Sequence, residues 1–189
     1  KILSMIEMNS IKYGGLLLII GGLEFTISMW ISENLYPGYN IQNNYISDLG
    51  IGSTAIIFNT AIIILGILTI LSSILLVSLG KSVIFLFLTG IGALGVGIFP
   101  EIFGFVHSIF ALILFLFGGL TGIVMFNKIK SRLSYVSLLL GLITIIALEL
   151  FINKVYLGLG RGGMERLIVY PELLWSIIFG IYFFTKTSK

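Results

Sequence analysis

The residues of this chain that could do chemistry are few, and most of them sit inside or beside long apolar runs. The densest group is GLGRGGMERLIVYPELLW at 158–175, which holds Arg161, Glu165, Arg166 and Glu172 among four glycines and one proline. Elsewhere stand Glu24, Asp48, Asn59, Glu101, His107 and Glu149. A carboxylate or imidazole within a bilayer is costly and marks a functional candidate by default. Glu24, His107, Glu172 and Asp48 could supply acid/base groups or hard-metal ligands, while Arg161 and Arg166 suit a phosphate or a carboxylate partner. Asn59 fits an interhelical hydrogen bond, and Asp48 a turn or helix cap, at least as readily as a site.

Counting about 1.5 Å of rise per residue from the expected span ends puts Glu24, Asn59, His107 and Glu172 in one layer, roughly 8–11 Å below one boundary. Glu149 is expected to be shallower, and Asp48, Glu101, Arg161 and Arg166 to form a rim above. Ser72, Ser73, Thr121 and Thr144 in the other half are expected to bond back to their own helices. The asymmetry implies a vestibule open at one side, with the Gly158–Trp175 stretch as its lid or rim. Both Pro-Glu pairs, Pro100-Glu101 and Pro171-Glu172, are expected near helix starts. Tyr36, Tyr39, Tyr45, Tyr156, Tyr170 and Trp175 suit an interfacial aromatic belt.

The elements that must position these groups follow from composition. The 189 residues are 58% hydrophobic and 10% charged, with mean hydropathy +1.14, which a soluble domain could not carry on its surface. The apolar segments are continuous rather than alternating, so helices rather than barrel strands are expected. The expected architecture is an all-α, polytopic membrane protein, a six-helix transmembrane bundle forming one domain over 1–189. Its spans lie at about 11–31, 54–79, 82–99, 102–126, 133–152 and 167–185. The first run is too long for a signal-peptide core and no small-x-small site follows, so no cleavable leader is expected.

Zero cysteines exclude disulfides, thiolate metal sites and iron–sulfur clusters, and a single histidine excludes bis-histidine haem ligation within one chain. Neither a metal nor a cofactor is expected. Basic residues are too few and scattered for nucleic-acid binding. Their placement does orient the chain. With the N-terminus inside, Lys1, Lys12, Lys81, Lys128, Lys130, Arg132, Lys186 and Lys189 face inward and only Lys154, Arg161 and Arg166 outward, which favours N-in, C-in. Gly14/Gly21, Gly15/Gly22, Ala93/Gly97 and Gly118/Gly122 are read as packing faces without chemistry.

Tyr45-Ile46-Ser47-Asp48-Leu49-Gly50, Phe58-Asn59, Phe99-Pro100-Glu101 with His107-Ser108 and Ala111, and the GRGGMER and YPELLW segments together resemble domain-of-unknown-function family number 998, six-helix membrane proteins. The resemblance spans most of the chain and implies that Asp48, His107, Arg161, Glu165, Arg166 and Glu172 are motif positions. The Ile-Ser-Asp-x-Gly loop and the His before a small residue are more distantly similar to the damage-regulated autophagy modulator group, from which Leu49 and Phe99-Pro100-Glu101 depart.

Three functions are then in view. The first is an outward-facing pocket for a lipid headgroup or small amphiphile, with the arginines on an anion and Glu24, His107 and Glu172 as its floor, so that membrane lipids are the expected partners. The second is a structural or accessory subunit with other membrane subunits as partners. The third is an outward-facing hydrolase or transferase using Glu and His groups.

Overall fold

The computed structural model describes residues 2–185; Lys1, Lys186 and Lys189, three of the charges used for orientation, lie outside the described residues. Among the described residues six α-helices and short 3-10 turns follow one another without a strand. They are α1 (Ile2–Leu35), α2 (Ala55–Leu75), α3 (Val83–Ile98), α4 (Phe105–Met125), α5 (Leu133–Ile152) and α6 (Gly160–Phe184). Five are long and apolar enough to cross a membrane, and α3 is a shorter apolar helix of 16 residues. Large side chains such as Ile56 and Phe105, 83% and 79% exposed, cover the outside, as lipid contact requires.

Each helix packs against its neighbours in sequence, and α6 closes the circle against α1. Close approach depends on glycine at three seams. A side chain on Gly15 would strike the backbone of Gly180, one on Gly90 the carbonyl of Gly66, and one on Gly141 the backbone around Gly122. Small residues let van der Waals contact replace the hydrophobic drive that is missing between helices in lipid. Polar pins also join neighbouring helices. Ser72 donates to the Gly14 carbonyl at 2.9 Å and Ser176 to the Leu18 carbonyl at 2.9 Å. Trp175 donates to Ser137 Oγ at 2.7 Å, and Ser137 to the Gly122 carbonyl at 2.7 Å.

Three sequence expectations change. Trp175 is 6% exposed and bonded inside the bundle, so it is no interfacial belt residue. Ser73 and Thr121 do bond back to their own helices, but Ser72 reaches α1, and Thr144 reaches the Ile168 carbonyl of α6 at 3.4 Å. The largest change is at α6, which starts at Gly160, so GRGGMER is its first two turns rather than a lid. Pro171 therefore falls inside the helix instead of at its start.

The reason lies in the connection between α1 and α2. Gly162 donates its N–H to the Gln42 carbonyl at 3.0 Å, and a Cβ at Gly162 would collide with the carbonyls of Asn44 and Ile41. The glycines let the 41–44 backbone lie directly on the helix start, where the Gln42 carbonyl satisfies the Gly162 N–H, which has no partner within the helix.

Candidate functional site

The connections 36–54, 99–104 and 153–159 gather at one end of the bundle, called here the polar end. Arg166 is 4% exposed and is bound from three sides. It forms an ion pair with Glu33 Oε1 at 2.6 Å, donates to Tyr39 Oη at 2.7 Å, and reaches the carbonyls of Ile41 and Gly162 at 3.2 and 3.0 Å. Burial pushes the Tyr39 phenol up to about 12, so it stays neutral and donates onward to the Tyr45 carbonyl at 3.0 Å. Arg161 donates to the Asn43 carbonyl and lies 4.6 Å over the Tyr45 ring. Both arginines thus hold the α1–α2 connection onto α6. Of the two partners expected for an arginine here, a phosphate or a carboxylate, Arg166 has the carboxylate, in Glu33.

Carboxylates face the arginines here. Asp48 accepts from Asn44 Nδ2 at 2.9 Å and the Tyr45 N–H at 3.0 Å, so its first task is to shape the 3-10 turn Ser47–Gly50. Ser47 donates to Glu101 Oε2 at 3.2 Å. Burial, together with the neighbouring Asp48, raises the Glu101 carboxyl above the ordinary carboxylate range; Ser47 and Arg161 pull the other way. Glu165, 5% exposed, accepts the Ile46 N–H at 2.5 Å. Asn59 Nδ2 donates to the Gly50 carbonyl at 2.9 Å, which ties α2 to the same turn.

Below this end the helices enclose a narrow cavity of about 80 Å³, lined by α1, α2, α3, α4 and α6, with α5 behind the seam of α4 and α6. Ser47, His107 and Glu165 line its upper level. His107 is bonded through Nδ1 to the Phe99 carbonyl at 2.9 Å, and since a carbonyl only accepts, Nδ1 carries the proton and in the neutral ring Nε2 keeps its lone pair. The middle wall is apolar, with Phe25, Phe58, Ile62, Leu114 and Phe115. Glu172 lines the cavity further down, and its carboxyl packs against Gly118 of α4, where a Cβ would collide with it. Glu172 Oε1 is closed off from solvent and takes no hydrogen bond.

The single polar layer is thus replaced by two levels. Glu172 lies twelve residues into α6, about 18 Å along it, while His107 is two residues into α4, about 3 Å. The depth was misjudged because α6 begins well before the expected start. Glu24 is outside the cavity lining and bonds within its own helix, accepting from Ser28 at 3.2 Å. Glu149 is exposed and bonds to Asn153 at 2.8 Å, away from the cavity. The cavity therefore brings together Glu165, His107 and Glu172, with Asp48 and Glu101 beside its upper end; Asn59, Arg161 and Arg166 brace the frame around it.

Two residues in this arrangement were absent from the sequence-based site. Glu33 was legible in principle, as a carboxylate at the end of α1 available to an arginine that breaks the positive-inside trend. Gly118 was read as packing alone, since nothing in one sequence says which side chain fills a glycine's space. Among the described residues no three His, Asp or Glu side chains gather closely enough to hold a metal ion.

A bundle of six helices with an apolar surface, five of them long and apolar enough to cross a membrane, is an integral membrane protein. The chain belongs to the family described as "Protein of unknown function (DUF998)", whose model matches residues 19–182. No curated protein and no solved structure matches it.

Proposed function

We propose that the protein binds a small amphiphile, drawn from membrane lipids or resembling one, with a single slender apolar chain in the central cavity. The observation that carries this reading is the lining itself: an apolar wall with carboxyl and imidazole groups at defined levels and little room across. A pocket of this make-up takes an apolar body and fixes it through a few polar contacts. With Arg166 committed to Glu33 and Tyr39, and Arg161 to Asn43 and Tyr45, the ligand's polar group meets acceptors instead of arginines. The placement of lysine and arginine supports a polar end that faces outward.

Replacing the cavity-lining Ala111 by Phe fills the upper part of the cavity. Mass spectrometry of the purified protein is expected to show loss of a co-purifying amphiphile in Ala111→Phe, with helicity retained. Equal amphiphile content in both proteins would overturn the reading. For the orientation, the chain has no cysteine, so Asn40→Cys gives a single thiol. Labelling by an impermeant reagent on intact cells is expected, and protection would reverse the assignment.

A further inference from the structure

We infer that the cavity selects a primary ammonium group, with Glu172 as its counter-charge; this rests on the amphiphile reading above and names the ligand's polar group. The argument is a census of donors and acceptors. Thr89 donates to the Phe85 carbonyl at 2.8 Å, Thr121 to the Phe117 carbonyl at 2.7 Å, and Ser176 to the Leu18 carbonyl at 2.9 Å. Ser47 donates to Glu101, Trp175 to Ser137, and His107 Nδ1 to the Phe99 carbonyl. Each of these groups lines the cavity, and each has spent its proton on the protein. What they still present are lone pairs, from hydroxyl oxygens and from His107 Nε2. Thr69 alone among the described lining hydroxyls keeps a donor with no protein partner.

A lining of acceptors excludes anions and suits a group with donors only. An ammonium has three donors and no acceptor. Glu165 already accepts the Ile46 N–H, whereas Glu172 Oε1 has no partner and no solvent. The Gly118 space holds that carboxyl in place on the α4 side of the cavity. Oε1 is shut away from water and unbonded, so a donor arriving from the cavity meets an acceptor whose hydrogen bond the fold has left unmade. Glu165 and Glu172 are seven residues apart on one face of α6, about 10 Å, and the aromatic wall between these levels accommodates a short alkyl chain.

The test uses the full chain in detergent or nanodiscs with Trp30→Phe, so that Trp175 in the cavity is the sole indole. Hexylammonium, 1-hexanol and hexanoate are titrated against its fluorescence. Hexylammonium is expected to bind at least about ten-fold more tightly than hexanol, as a hydrogen bond to a charged group implies, and hexanoate not to bind. Glu172→Gln should remove the ammonium preference, and hexanol binding that persists in this variant reports that the cavity is intact; Glu172→Asp should retain part of the preference. Equal affinities for ammonium and hexanol in the Trp30→Phe protein would overturn the amine assignment while leaving the cavity reading standing. An undiminished preference in Glu172→Gln would overturn the role of Glu172. Binding of none of the three probes would overturn the cavity reading, and this inference with it.

Discussion

The Glu172 carboxyl of α6 occupies the space that Gly118 of α4 leaves by having no side chain. The two helices touch little elsewhere, since α5 lies behind their seam. Gly118→Ala should therefore destabilise by about 1–3 kcal/mol, the usual cost of overpacking. Glu172→Ala removes the obstacle, so in the double variant the two costs should fall short of their sum by about 0.5–3 kcal/mol, the range for residues in direct contact. Thermal or denaturant unfolding of the four proteins measures this coupling. Strict additivity would mean that the carboxyl lies elsewhere.

Arg166 is the strongest fastener at the polar end, and its loss leaves Glu33, Tyr39 and two carbonyls without their donor. Arg166→Ala is expected to cost about 3–5 kcal/mol, because a buried partner is left uncompensated. The double variant Arg166→Met with Glu33→Leu should be much less damaging, since it removes both charges. If the single and double variants unfold alike, the ion pair is not what holds the α1–α2 connection to α6.

Glu101 gives the polar end a pH dependence whose sign follows from its surroundings. Burial and the neighbouring Asp48 raise its carboxyl above the ordinary value of 4.5, so the folded chain holds this proton more tightly than the unfolded chain. The resulting stability is fully present below the unfolded value and is lost as pH rises through the raised folded one. Arg161 and Ser47 oppose the shift, and Glu165 adds to the acidic surroundings. Hydrogen exchange of the Ser47–Gly50 turn, corrected for intrinsic rates, should speed up as pH rises across that window. Glu101→Gln should flatten the dependence, and an unchanged profile in that variant would remove Glu101 as its source.

Gly162 and Gly163 separate close packing from ordinary helix propensity. Gly162→Ala would drive a methyl into the carbonyls of Asn44 and Ile41, so it should expose the 41–44 segment to proteolysis and lower stability. Gly163 meets only Leu159 Cβ, at 3.0 Å, and Gly163→Ala should be near neutral or stabilising by up to about 1 kcal/mol, as helix propensity implies. Equal behaviour of the two variants would contradict the clamp between the α6 start and the α1–α2 connection.

Continuous apolar runs, placed between turns such as Gly80-Lys81 and Pro100-Glu101, were enough to read six helices, because a bilayer demands internally bonded backbone whatever the packing. The α5 span at 133–152 matches its helix residue for residue. Candidate site residues were legible for the same reason: polar groups are conspicuous in an apolar sequence. Their partners were not. Arg166 suited a phosphate or a carboxylate, and only the fold shows the carboxylate to be that of Glu33, 133 residues earlier.

Glycine shows the limit most plainly. In GRGGMER it stood in a segment expected to be a lid or rim, yet Gly162 serves a helix whose first turn is pressed by another segment's backbone. At Gly118 it read as packing, yet the space it leaves holds a carboxyl. Hydropathy and charge act along the chain, so they can be read from it in order. Which acceptor takes a proton, which space takes a side chain, and how deep Glu172 lies depend on distances between segments far apart in sequence, and those exist only once the helices have closed into a ring.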